Sequence, residues 1–201
     1  MSEKIYLYPV WTRIWHLFNA ILCLFLILSG ISMQYSVMFR FDLAVSLHNI
    51  AGILLTINYL IFFIGNLSTK NGKYYKFNKK EIGKQLQKQL KYYTGGIFKG
   101  EKAPFPVNEE QKFNPLQKVS YQMVMYLAIP LLFITGWAML FPEIIINRIF
   151  HVSGLFLTDL LHITMGFVVS VFMVVHIYFC TTGTKFGSIF KNMITGWAES
   201  H

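Results

Sequence analysis

Four stretches of this chain carry no charged residue at all. They cover residues 14–39, 43–69, 119–142 and 160–184, which is 26, 27, 24 and 25 residues respectively. A helix needs about 20 predominantly apolar residues to cross a bilayer, so every stretch is long enough. Inside lipid each backbone polar group must be satisfied within the protein, which leaves helices and closed barrels. The strict alternation of a membrane barrel is absent. The expected fold is therefore all-α, an integral membrane four-helix bundle. Its spans are expected near 13–35, 43–66, 118–141 and 155–181, in one domain covering 1–201. Composition agrees, with 54% hydrophobic and only 13% charged residues against about 25% charged in soluble domains. The first stretch is too long for a secretory leader, carries His16 and Asn19 near its start, and is followed by no small-residue cleavage site, so it is read as a retained helix.

The charges that remain set the orientation. Of 18 Lys and Arg, 12 lie between residues 67 and 118, accompanied by 4 Glu. Lys4, Arg13, Lys185 and Lys191 lie toward the two ends, whereas the other two connections carry only Arg40 and Arg148. The positive-inside rule puts both termini and the long basic loop 67–117 in the cytoplasm. The net charge of +9 is thus a topology signal and not a nucleic-acid footprint. Within the loop, Asn78 and Glu81 fit a capping box, and Ile82, Leu86, Leu90 and Tyr93 recur at helical spacing. This predicts a basic helix, lying either on the membrane surface or in solvent, ended by Thr94-Gly95-Gly96. Ala103-Pro104-Phe105-Pro106 then leads stiffly into the third span.

Four of six histidines fall inside the spans, where ionisable residues mark function by default. His16 is near the inner end of helix 1 and His176 near the inner end of helix 4. His48 and His162 are near the outer ends of helices 2 and 4. His162 and His176 are 14 residues apart, which at about 100° and 1.5 Å per residue leaves them on one side of the helix, ~21 Å apart along its axis. Bundle cores build cofactor sites from side chains on facing helices, so the expected pairs are His16 with His176 and His48 with His162. Two histidines without carboxylate or thiolate companions under-fill a zinc site, but they fill both axial positions of a haem iron. Gly52 and Gly166 follow their histidines by four residues on the same face, and Gly30 and Gly136 offer further room. Such glycines either admit a flat macrocycle or simply let helices pack closely. His151 and His201 read as surface residues. Cys23 and Cys180 form no CxxC or CxxCH motif, so thioredoxin chemistry and covalent haem attachment have no support, and both read as core.

Arg13-Ile14-Trp15-His16, His48-Asn49-Ile50-Ala51-Gly52, Phe113-Asn114-Pro115-Leu116-Gln117-Lys118 and the His162/His176 pair form an ordered set along nearly the whole chain. In this the chain resembles the di-haem cytochrome b subunits of prokaryotic respiratory enzymes. These include the membrane subunits of formate dehydrogenase, nickel-iron hydrogenase and thiosulfate reductase, and the bacterial b561-type cytochromes, so the resemblance implies a multi-pass protein of a bacterial inner membrane. The resemblance implies two haem b, with His16, His48, His162 and His176 as axial ligands. It also implies a quinone, menaquinone or ubiquinone, bound on the cytoplasmic side beside Asn114 and Gln117. For Asn114 the alternative is a helix N-cap with Pro115 at the first helical position. Arg13, one turn before His16, either pairs with a haem propionate or anchors the helix at the basic side. Asp159 either orients His162 or a propionate, or caps helix 4. Trp11, Trp15 and Trp137 read as interface or packing aromatics. The implied function is a quinone-coupled electron-transfer subunit. Its partner is a periplasmic iron–sulfur or multihaem subunit with its catalytic subunit, which needs an anchor of its own because the outer connections are short. The alternative is a stand-alone b561-type oxidoreductase working between quinone and superoxide. A third reading, a non-redox scaffold or transporter with metal-binding histidines, predicts no haem.

Overall fold

The computed structural model describes residues 4–76, 80–181 and 187–199. Four long helices dominate: α1 (Val10–Tyr35), α2 (Phe41–Ser68), α4 (Pro115–Leu140) and α5 (Gly154–Thr181). Two short ones, α3 (Ile82–Lys91) and α6 (Ser188–Thr195), complete the set. All four long helices are apolar and long enough to cross a membrane. Only 6–28% of each one's most apolar window is buried within the protein. Leu17, Phe18, Tyr35, Leu67 and Phe167 are among many large apolar side chains left exposed. A surface of that kind is stable only against lipid. The chain is a multi-pass membrane protein with an all-α bundle.

Each long helix begins two to six residues ahead of its charge-free stretch and ends inside it. Arg13 and Lys118, expected as the first residues of their spans, lie three residues inside α1 and α4. Long basic side chains can keep the charged head at the interface while the stem stays on the helix, so charge did not mark the helix end. Likewise α5 starts at Gly154, where the Phe156 N–H donates to Ser153 Oγ at 3.4 Å. Asp159 is five residues inside the helix and is not its cap.

The chain's contacts divide into two compact units. One comprises Ile14–Phe63 and Val124–Ile177 and contains the middle of every long helix. Its core includes Val124, Ala128, Ile129 and Val169, with Tyr59, Phe133 and Phe172 against them. Trp15 is a packing aromatic here: it stacks on Phe62 at 4.5 Å and its indole N–H donates to the Asn58 carbonyl at 3.0 Å. Pro130 has no N–H to give the turn before it, and α4 widens to a π-turn at Val124–Ala128. Tyr59 compensates by donating its hydroxyl to the Met125 carbonyl at 2.9 Å. Neighbouring helices commonly repair such breaks inside membranes. Arg148–Ile149 (β2) and Val152–Ser153 (β3) make a tight hairpin whose turn residues, Phe150 and His151, both have positive φ. His151 is exposed there.

The other unit comprises Met1–Arg13, Ile64–Met123 and Tyr178–His201. Its β1 (Lys4–Tyr6) pairs antiparallel with β4 (Trp197–Glu199), Ile5 opposite Ala198, a link between the two ends of the chain that the sequence did not announce. The loop helix forms, but with a different start, stop and inner face. Asn78 and His201 lie outside the described residues. Glu81 is the residue before the first helical turn and makes no capping hydrogen bond. Gly95 and Gly96 do not end the helix, which continues through a π-turn (Tyr92–Gly96) and a 3-10 turn (Ile97–Lys99). It stops at Gly100, whose φ is 70°. There Gly100 N–H donates to the Ile97 carbonyl and Glu101 N–H to that of Gly96, the paired bonds of a glycine-terminated helix. The inner face of α3 centres on Gln89, 2% exposed, while Leu90 points outward.

Candidate functional site

The middle unit brings the four intramembrane histidines together in two pairs. His16 is six residues from the start of α1 and His176 five from the end of α5. Their ring centroids are 6.1 Å apart. Trp15 meets His16 edge-on at 6.3 Å, and Phe172, one turn before His176, stacks on that ring at 5.6 Å and 18°. His48 is seven residues into α2 and His162 eight into α5, and their centroids are also 6.1 Å apart. With ~21 Å of helix between His162 and His176, the pairs occupy two depths.

Two hydroxyls that sequence reasoning missed touch the second pair. Ser29 Oγ lies 3.0 Å from His48 Nδ1, and Thr135 Oγ1 lies 2.8 Å from His162 Nδ1. Each hydroxyl is followed by glycine. A Cβ on Gly30 would meet His48 Cε1 at 3.6 Å, and one on Gly136 would meet His162 Cε1 at 3.2 Å. These glycines let an imidazole lie directly against a neighbouring helix. The signal available in the sequence was the repeated hydroxyl-glycine step, Ser29-Gly30 and Thr135-Gly136.

The pairs can be tested against the group they suit. A metal–imidazole bond is about 2 Å long, so two rings ligating one iron from opposite sides have centroids about 6 Å apart. Both observed separations match. Among the described residues no cluster of three or more His, Cys, Asp or Glu could hold a metal ion, which leaves two-histidine donor sets, as haem requires and zinc does not. Among the described residues a Cβ on Gly166 would meet nothing within 4 Å, and one on Gly52 only Leu26 Cδ2 at 3.9 Å. Both faces therefore have the low profile that a flat macrocycle needs. The residues fit haem.

The remaining candidates lie in the other unit. Asn114 caps α4: its Oδ1 accepts from Gln117 N–H at 2.9 Å, and Gln117 Oε1 accepts from Asn114 N–H at 3.1 Å. With Pro115 at the first helical position this is a reciprocal capping box. Asn114 Nδ2 donates to the Tyr93 hydroxyl at 3.0 Å, so both ends of that amide are engaged. Burial pushes the Tyr93 phenol up from its ordinary value. The cap leaves the Gln117 NH₂ group for other work. Arg13 donates to the Ile194 carbonyl in the last turn of α6, where a cation suits the helix dipole. Among the described residues its buried Nε has no hydrogen-bond partner, a donor that an anionic group would satisfy. Lys112 is 2% exposed. Its ammonium donates to Asn71 Oδ1 at 3.3 Å and sits over the Tyr8 ring at 4.3 Å. Burial lowers its pKa to about 8. Burial, reinforced by Cys180, raises that of Tyr8 to about 12.

Comparison with known proteins gives the family. The family described as "Prokaryotic cytochrome b561" matches residues 7–196. A relative from Escherichia coli (strain K12), named "Putative cytochrome YdhU", is 35% identical over 198 residues, covering 98% of this chain and 75% of the relative. The chain belongs to the prokaryotic cytochrome b561 family, membrane proteins that carry electrons on b-type haem.

Proposed function

We propose that this cytochrome is a di-haem, quinone-coupled subunit of a respiratory oxidoreductase in a bacterial inner membrane. It moves electrons between a periplasmic iron–sulfur or multihaem subunit, attached to its own catalytic subunit, and membrane quinone. The observation that carries this reading is the presence of two histidine pairs, each with a 6.1 Å centroid separation, at two depths. His16 with His176, and His48 with His162, would each hold one haem b. When bound, haem supplies one-electron transfer, and the protein supplies ligation, spacing and electrostatics. Phe172 fixes the His176 ring by stacking. The buried Arg13 Nε, without a hydrogen-bond partner among the described residues, is proposed to serve an anionic group such as a propionate. The basic 67–117 loop supports cytoplasmic termini, and pairing of β1 with β4 agrees with an even number of crossings.

Quinone is proposed to bind on the cytoplasmic side, with Gln117 offering its NH₂ group to a quinone carbonyl. Asn114 acts there by holding Gln117 through the cap.

The test is purification from membranes in mild detergent, followed by mixing with quinol. The reading predicts recovery with a larger periplasmic subunit and rapid haem reduction by quinol. Recovery alone, with rapid reaction toward superoxide, would instead favour the stand-alone oxidoreductase.

A further inference from the structure

The hydroxyls beside His48 and His162 have already committed their own protons. Ser29 Oγ donates to the Phe25 carbonyl at 2.6 Å, with the Leu26 carbonyl at 3.2 Å. Thr135 Oγ1 donates to the Leu131 carbonyl at 2.7 Å, with that of Leu132 at 3.3 Å. A hydroxyl has one proton and two lone pairs. What each turns toward the imidazole is therefore a lone pair, and the Nδ1 it faces must carry the hydrogen. A neutral imidazole protonated at Nδ1 has its lone pair on Nε2.

We infer that Ser29 and Thr135 are positioning residues that lock His48 and His162 in the Nδ1–H tautomer, so that both rings present Nε2 to one haem iron. This rests on the proposal that these two histidines are ligands. Both hydroxyls are almost fully buried, at 0% and 4% exposure, so water does not compete for the bond. The device occurs once on each side of the pair, on α1 for the α2 ligand and on α4 for the α5 ligand. In each case glycine follows and lets the ring approach. Accepting the ligand's N–H makes the imidazole a stronger donor. The oxygen is further polarised by its own donation to a carbonyl. Stronger donation favours the oxidised iron, so both hydroxyls hold the potential of this haem down.

The experiment compares Ser29→Ala, Thr135→Val, the double variant and Thr135→Ser, with His48→Ala identifying which haem belongs to the pair. Redox titration and low-spin electron paramagnetic resonance of the haem-loaded protein are the readouts. Each hydroxyl removal is expected to raise the potential of that haem and shift its resonance, leaving the other haem unchanged. The expected size is up to tenfold in the reduction equilibrium, about 59 mV for a one-electron couple. Thr135→Ser is expected to restore the original values. If Thr135→Val loses the haem outright, Thr135→Ser must regain it, and failure to do so overturns the inference. An unchanged potential and resonance in the double variant, with one haem lost in His48→Ala, overturns the inference and leaves the ligation standing. Retention of all haem in His48→Ala overturns both.

Discussion

Replacing Gly136 by alanine places a methyl group against a proposed ligand. The new Cβ would lie 3.2 Å from His162 Cε1 and 3.8 Å from its Nδ1. Carbon–carbon contacts are optimal at about 3.5–4.0 Å, so the ring must withdraw by a few tenths of an ångström. It is held on the same side by Thr135 at 2.8 Å. Gly30 is the matched control, because its Cβ would sit 3.6 Å from His48 Cε1 and 3.9 Å from Nδ1, both ordinary contacts. Each substitution gains up to about 1 kcal/mol of helix propensity. Nothing offsets that gain at Gly30. At Gly136, overpacking costs about 1–3 kcal/mol, so the net effect runs from neutral to about 2 kcal/mol destabilising. Thermal unfolding in detergent, followed together with haem absorbance, measures the difference. Gly30→Ala is expected to melt at or above the parent. Gly136→Ala is expected to melt below Gly30→Ala and to perturb the haem spectrum. Equal behaviour of the two, or a worse outcome for Gly30→Ala, would refute the reasoning.

Three further outcomes follow from other parts of the chain. Tyr59→Phe keeps the ring contacts with Phe62 and Phe133 but orphans the Met125 carbonyl, and should lower stability by about 0.5–2 kcal/mol in detergent melts. Lys112 has a folded pKa of about 8, below its unfolded value, so the unfolded chain binds more protons between about pH 8 and 10.5 and stability should rise across that window. Lys112→Met should abolish that rise and melt higher than the parent at pH 7, which melting at several pH values reads directly. Gln117→Glu keeps a cap acceptor but removes the NH₂ group, so it should slow haem reduction by quinol with little change in melting temperature. Unaltered quinol kinetics would remove Gln117 from the site.

The spans were legible because lipid leaves one economical way to satisfy a backbone. Their ends were legible to within three residues, and the first and third spans start earlier than expected because Arg13 and Lys118 can sit inside a helix and still reach the interface. The pairing of rings followed from arithmetic: fourteen residues bring His162 and His176 back to one face, and the other two histidines lie at matching depths. Ser29 and Thr135 were hidden because a hydroxyl bonded to the carbonyl four residues back is ordinary in a membrane helix, and only the fold shows which hydroxyl also meets a ring. Asn114 was readable as a cap from Pro115, and the structure adds Gln117 as its reciprocal partner. The loop helix was misread at Gly95-Gly96 because glycine stops a helix only where the backbone turns left-handed, as it does at Gly100. The β1–β4 pairing joins three-residue strands from opposite ends of the chain, too short to leave a periodic trace.

The central claim is that two histidine pairs each hold one haem b. Its most direct test is quantification of haem per chain from reduced-minus-oxidised spectra of the purified protein and four single variants. The account predicts two b-type haems in the parent. It predicts one in His48→Ala and His162→Ala, with the same haem missing from both. It predicts one in His16→Ala and His176→Ala, with the other haem missing. A parent with fewer than two haems, or loss of the same haem from all four variants, would contradict it.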